Sequence, residues 1–523
     1  MVPKVSITES ASIRFDRIAL LMIAVFACGR AISAVMFTGF GLDESYTIAI
    51  SRSLALSYYD HPPLHQWITH VSIWLFGIGP WVRLPFVGIA AGTGWIVFRM
   101  TSQIFGRAAG LWALFLFSIS PYFFAIAGSW ISPDGLLLFC LAGATYSAQQ
   151  VLFFPNNTHN ESYRRWIILG LWTGFAGLSK YSALFFPFGL FLFLAFSGQH
   201  RHWLTRPASY IGAAVGALMT APILIWNGQH DWVSFAFQAG RAVPGTTGNI
   251  SILATMIGGQ ILFLSPLFYP ALIAATVWAI RKSSANDVKR LLLFLGLPTV
   301  MFMTIVPVWG NSGFPHWPIP GWFFIFPLLG GWIDRLQVRM VWKRIWAGAA
   351  GGLTLFLAVI FVSLQSSNWL LSGSRAVNVT DGAIVETLNW HPIREAKAFR
   401  STPDWTPSFV IAQNWIEGGK VDLAVGDRLP VLVLSSDPRG FAFRQNPADF
   451  VGADAVIIAH DFAAEDLLNR LRPYFEKFDA PERVQFGRDH RPEVNLFVLK
   501  AYNMLRPYPL PYGIAAVSSP SSP

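Results

Sequence analysis

The sequence predicts an α-helical polytopic membrane protein with a soluble α/β domain at its C-terminal end. Three observations predict it. Of 523 residues, 53% are apolar and 13% charged, far from the balance of a soluble globular chain. The apolar residues gather in runs long enough to cross a bilayer at about 20 residues per crossing. Beyond residue 367 the runs shorten to strand length and charged residues become common, which marks a second domain.

The segment MVPKVSITESASIRFDR leads into an apolar run over 18–40 with no small-residue cleavage site, so a retained signal anchor is expected. Arg30 lies deep enough in this run to need a partner or a snorkelling route. Further spans near 82–100, 108–128, 134–154, 166–179, 181–197, 208–226, 252–280, 291–308, 316–333 and 345–366 bring the expected total to about eleven transmembrane helices. The run over 252–280 is long for one helix and has room for a kink at Pro266. Residues 64–78, with His65 and His70, are too short to cross and read as a juxtamembrane helix lying along the surface.

Arg14 and Arg17, Arg99 and Arg107, Arg164 and Arg165, Arg201 and Arg206, Arg281 to Arg290, and Arg335 to Arg344 mark one side of the membrane. The positive-inside rule makes that side cytoplasmic, with the N-terminus there and the loop 41–64 opposite. An odd number of crossings puts the C-terminal domain outside as well. The net charge of +10 is spread in small groups between spans, which speaks for membrane orientation and against a nucleic-acid groove. Cys28 and Cys140 both lie in apolar runs and offer neither a disulfide framework nor a cysteine metal site. No internal repeat is visible, which weakens a transporter of paired inverted halves.

In the second domain, 368–503, VLVLS (431–435), AVIIAH (455–460) and NLFVLK (495–500) read as buried strands, and 461–475 has helical spacing. The Pro- and Ser-rich tail, 504–523, is expected to be extended or disordered.

The loop 41–64, GLDESYTIAISRSLALSYYDHPPL, packs Asp43, Glu44, Arg52, Asp60 and His61 between apolar segments. Ionisable groups beside a bilayer are costly unless solvated, paired or employed, so a reaction centre is favoured over a polar connector. Asp43 and Glu44 are adjacent, so their side chains diverge and have different jobs. One can act as general base toward an incoming hydroxyl, the other can hold structure or a cation such as Arg52. His61 precedes two prolines that fix the backbone; as an imidazolium it would bind phosphate, and as a bystander it would only enter a helix. Asp134, in SWISPDG, is a carboxylate at the mouth of a span, or a helix cap in competition with Ser132.

Lys180 and Tyr181 break two apolar runs on the outer face, where a lysine disobeys the orientation rule and either snorkels or binds an anion. Arg241 is a further outer anion candidate. Asn311, His316 and Trp317 crowd an outer loop with several prolines, and His316 is either a ligand contact or an interfacial side chain. No glycine-rich phosphate loop, HExxH or GxSxG occurs. NNT at 156–158 fits a glycosylation acceptor but falls on the cytoplasmic side.

The acidic pair after the first span, the YDHPPL string, the outer Asp134, the Ser179-Lys180 pair and the HWP at His316 resemble the polyprenyl-phosphate-dependent membrane glycosyltransferases over roughly 15–335. That group includes protein O-mannosyltransferases, lipid A aminoarabinose transferases and rhizobial galacturonosyltransferases. The resemblance implies a GT-C fold and an inverting transfer of one sugar from a polyprenyl-phosphate donor, at the periplasmic face of a bacterial inner membrane. The acceptor would be a hydroxyl on lipid A, lipopolysaccharide core, another envelope glycoconjugate or a protein. Asp43 matches the family's base, with Glu44 and Asp134 as companion carboxylates. Arg52, His61, Lys180, Tyr181, Arg241 and His316 would hold the donor phosphate and substrate. No cofactor is required by this chemistry, a divalent metal is an option, and nucleic acid is not a partner. The chain departs from the aminoarabinose transferases at His61, where they have Lys, and at Tyr46, where they have Arg; HPPL leans toward the galacturonosyltransferases. A glycolipid or polyprenyl-phosphate-sugar flippase is the main alternative, although it needs charges in mid-span. A ligand-binding sensor is a third.

Overall fold

A computed structural model describes residues 9–36, 39–154, 159–242, 249–282, 286–310, 313–366, 388–460, 464–486 and 494–512. Asn311, the NNT site and the domain boundary at 367–368 lie outside the described residues.

All eleven expected spans fall on helices, but several are short or broken. Among the described residues four helices are long and apolar enough to cross a membrane singly: Ile13–Val35, Pro80–Phe105, Pro133–Phe153 and Asp287–Gly310. Pro207–Met219 with Ala221–Gln229, bent by 43°, and Ile250–Leu264 with Tyr269–Arg281, bent by 98°, pass the same test only as pairs, and Arg107–Ile119 and Tyr181–Phe196 are shorter apolar helices. The sharper bend begins at Ser265, whose φ of 87° ends the helix, and Pro266 cannot donate into a continuing one. Small residues bring some helices into backbone contact: a Cβ on Gly170 would lie 2.0 Å from the Gly212 carbonyl oxygen, joining His159–Ser179 to Pro207–Met219. The expected surface helix spans Leu64–Phe76 and turns Val71, Trp74 and Leu75 outward.

The C-terminal domain is built on a six-stranded sheet of order β2-β1-β3-β6-β4, with β5 also on β6. The strands are β1 (Phe409–Ala412), β2 (Val431–Val433), β3 (Ala455–His460), β4 (Phe475–Phe478), β5 (Glu482–Phe486) and β6 (Val494–Met504). β1 runs parallel to β2 and β3, pairing Ile411 with Leu432 and Ile457, and β6 is antiparallel to its neighbours. β2, β3 and β6 are the three strands expected, and the expected helix runs over Ala464–Leu471. Of the expected tail, 504–512 is described and is pinned by Tyr512, whose ring stacks on Tyr59 at 4.5 Å, and 513–523 lies outside the described residues.

This domain shares its hydrophobic core with the first outer loop. Tyr46, Ala49, Ile50 and Tyr58 pack with Val410, Val433 and Phe441. The contact is made by helix Leu42–Ser51 against helix Trp415–Val425, which meet so closely at Gly419 that a Cβ there would lie 2.4 Å from the Tyr46 backbone nitrogen. Arg52 pairs with Asp422 at 3.0 Å, and Asp422 also accepts from Arg444 at 2.7 Å. Gly419→Ala is therefore expected to force the two helices apart at about 1–3 kcal/mol of stability, read as a lowered melting temperature in detergent.

Candidate active site

Asp43 and Glu44 occupy the first turn of helix Leu42–Ser51, where unpaired backbone N–H groups favour carboxylates. Successive residues point about 100° apart on a helix, so Glu44 turns inward at 3% exposure while Asp43 stays open to solvent. Glu44 is fully engaged: Arg83 donates to it through Nε at 2.7 Å and Nη2 at 2.5 Å, and the Ile131 and Gly41 N–H groups donate at 3.1 Å each. Burial works against its charge, but Arg83 and the two N–H donors outweigh it and hold its pKa below the usual value. Arg83 also donates to the Ala34 and Gly39 carbonyls, at 3.0 and 3.2 Å. Glu44, expected among the catalytic carboxylates, is thus a buried anchor whose lone pairs are all taken. Its partner is Arg83 rather than Arg52. Arg52, expected on the donor phosphate, is committed instead to Asp422 and the Asp422 and Gly426 carbonyls.

Asp43 faces a concave cluster containing Asp60, Arg439 and Asp134. Its pKa is raised, first by the loss of hydration in this enclosure and then by the Asp60 charge, with Arg439 opposing. Asp60 is buried; its Oδ1 accepts from the Tyr46 hydroxyl at 3.3 Å, its Oδ2 lies 3.7 Å from Arg439 Nη1, and its carbonyl accepts from Gln238 at 2.7 Å. The double proline after His61 keeps this strand of chain stiff.

On the other side of His61, Lys180 Nζ bridges both oxygens of Asp134 at 2.8 and 3.0 Å. His316 stands beside this pair, its ring stacked on Tyr122 at 6.3 Å. The His61 ring lies edge-on to His65 at 5.5 Å. Burial, reinforced by Lys180, pushes the His61 pKa down to about 3, so the ring is neutral and not the imidazolium expected to meet a phosphate. Arg241 lays its guanidinium over Phe237 at 4.4 Å and Trp317 at 5.9 Å, its pKa lowered by burial and by the nearby Arg439. Tyr181 parts from Lys180: its ring meets Phe235 at 5.7 Å and lines a separate apolar cavity of about 460 Å³ between helices His159–Ser179 and Pro207–Met219.

The structure therefore gathers Asp43, Asp134, His61, Lys180, Arg241 and His316, and leaves Glu44, Arg52 and Tyr181 outside the open cluster. Sequence reasoning did not place Arg83, Asp60 or Arg439. Arg83 was findable, because like Lys180 it is a cation that the positive-inside reading leaves out of the basic loops. Asp60 was visible as part of the charged loop, but nothing local marks it for this cluster. Arg439 carries no local mark.

The family of dolichyl-phosphate-mannose-protein mannosyltransferases matches residues 60–226. The lipid A galacturonosyltransferase RgtD of Rhizobium johnstonii is 27% identical over 274 residues, which cover 51% of this chain and 55% of that relative, so the chain spans about half its length. The crystal structure of ArnT from Cupriavidus metallidurans bound to undecaprenyl phosphate superposes with a TM-score of 0.63 at 15% identity, over 94% of this chain and 98% of that one. The chain has the GT-C fold of membrane glycosyltransferases. Apo ArnT matches the GT-C architecture almost equally, with a TM-score of 0.62 at 15% identity and the same coverage of 94% and 98%. In this GT-C fold the cluster joins residues of the helical part, Asp43, Asp60 and Asp134, to Arg439 of the C-terminal domain. Among the described residues no three His, Cys, Asp or Glu side chains are placed together to hold a metal ion.

Proposed function

We propose that the protein transfers one sugar from a polyprenyl-phosphate donor to a hydroxyl of a lipopolysaccharide-type acceptor, at the periplasmic face of a bacterial inner membrane. The observation that carries this reading is the exposed Asp43 carboxylate, its pKa raised, in a mixed cluster where Asp60 pairs with Arg439 and Asp134 with Lys180. Asp43 takes the proton of the acceptor hydroxyl as that oxygen attacks the anomeric carbon. The bond from that carbon to the phosphate oxygen breaks, its electron pair leaves on the phosphate, and a single displacement inverts the centre. Lys180 and Arg241 face the developing charge without needing to reorganise, the kind of preorganisation that often dominates such rates. Asp134 holds Lys180 in place. The name of RgtD supports a uronic sugar and a lipid A acceptor, and the undecaprenyl phosphate bound to ArnT supports the lipid carrier.

The test is mass spectrometry of lipid A, core lipopolysaccharide and exported proteins from a deletion strain carrying wild type or Asp43→Asn. A sugar present with wild type and missing with the variant at equal expression names both sugar and acceptor. The same glycans in both strains would remove the base and bring the flippase forward. Lys180→Met is expected to lower kcat/KM for the donor by about tenfold to a hundredfold, as loss of a charged hydrogen bond does, in an assay with detergent-solubilised enzyme.

A further inference from the structure

Two positions where the chain lacks a cation that the aminoarabinose transferases carry, Tyr46 and His61, converge on Asp60: the Tyr46 hydroxyl donates to its Oδ1 at 3.3 Å, and His61 follows it in the chain. Neither side chain supplies positive charge. Into the same place the C-terminal domain extends Arg439, whose Nη1 lies 3.7 Å from Asp60 Oδ2. The arm is built for this. Arg439 has a φ of 46°, a left-handed conformation that a non-glycine residue keeps only when its surroundings enforce it. Here they do: the Arg439 N–H donates to the Tyr512 hydroxyl at 3.2 Å, and the Gly440 N–H donates to the Tyr46 hydroxyl at 3.0 Å. Its guanidinium is stacked 3.6 Å above the Trp415 ring, which fixes its direction, with Nε toward Asp437 at 3.5 Å and Nη1 toward Asp60. The acids near Arg241 and Arg439 are the buried Asp60, the half-exposed Asp437 and, for Arg439, the exposed Asp43.

We propose that Arg439 binds the phosphate of the polyprenyl donor, so that the C-terminal domain supplies a cation that relatives place in the membrane domain. The inference rests on the transferase reading above and adds a substrate-binding residue to it. Arg's planar fork suits a phosphate, and its charge, like that of Lys180, is felt at His61.

Full-length protein in nanodiscs, titrated with a polyprenyl monophosphate and with the matching polyprenol by native mass spectrometry, tests it. Arg439→Gln is expected to weaken phosphate binding about tenfold or more with polyprenol binding unchanged. His61→Lys in that background is expected to recover a substantial part, a rescue that a merely structural role would not allow. Wild-type affinity for the phosphate in Arg439→Gln, or no recovery in the double variant, overturns the proposal. If Arg439→Gln loses polyprenol binding too, Arg439→Lys replaces it: about threefold or more weaker phosphate binding is expected, because a point charge loses the fork. Wild-type affinity there overturns the proposal equally. Should wild type itself not prefer the phosphate to the polyprenol, the transferase reading fails instead.

Discussion

Asp43→Asn is expected to lower the rate of sugar transfer by ~10²- to 10⁴-fold, the range that a positioned general base contributes. The loss should fall on kcat, with the donor KM nearly unchanged, because the proton moves only as the acceptor oxygen attacks. The amide keeps the shape and the helix N-terminal position, so folding should be unaffected. The pH dependence gives an independent check. Burial and the Asp60 charge raise the Asp43 pKa, and a base works deprotonated. Activity is therefore full above that pKa and is lost as pH falls through it. The acid limb should lie at higher pH than the value of about 3.9 for a free aspartate. Because Asp60 and Asp43 feel each other, the limb reports the pair. Asp60→Asn removes a negative neighbour and should move the limb to lower pH. Transfer of labelled sugar to acceptor across the pH range measures both effects, and an unmoved limb in Asp43→Asn would exclude it as the base.

Most of the open cluster was legible because a charged side chain at a membrane edge is conspicuous against its background. Asp43, Asp134, Lys180, His61, Arg241 and His316 were each marked by the positive-inside reading as belonging to one expected face, and the fold brings them into one electrostatic neighbourhood. What was not legible depends on direction and distance. Adjacency shows that Asp43 and Glu44 diverge, but only packing decides which one turns inward, and that is fixed by Arg83, 39 residues away. Arg52 looks like a phosphate ligand until the helix Trp415–Val425 arrives with Asp422. Arg439 enters from a separate domain, beyond the reach of any local pattern. Hydropathy summed over 252–280 sees enough apolar residues for one span, and Pro266 marks a kink, but neither gives the size of the 98° bend. In the sheet, β1 is four buried residues and showed no period, whereas β2 was read from the longer apolar run VLVLS and β3 and β6 from runs of strand length.

Glu44→Gln is expected to destabilise the protein by about 3–5 kcal/mol, the usual consequence of removing one member of a buried ion pair. Arg83 is 2% exposed and would be left as a buried guanidinium without a carboxylate, its remaining partners being the Ala34 and Gly39 carbonyls. The amide can accept through one oxygen only, so either the Ile131 or the Gly41 N–H also loses its acceptor. Four pieces of chain meet at this carboxylate: the end of the first span, the helix bearing Asp43, the start of span Pro80–Phe105 and the turn before Asp134. Loosening it should thus lower the melting temperature and the yield of folded protein. The sign with pH follows from the lowered Glu44 pKa. The pair's stabilisation is present above the unfolded-state pKa and is lost as pH falls through the folded value, so wild type should melt earlier in acid and Glu44→Gln should show less of that dependence. Glu44→Leu with Arg83→Met removes both charges and should recover part of the loss, but not all, because the Ile131 and Gly41 N–H groups stay unsatisfied. The contrast with Asp43→Asn separates anchor from base: one variant loses folded protein, the other loses turnover per folded molecule. A Glu44→Gln protein that melts with wild type but is inactive would return Glu44 to the chemistry.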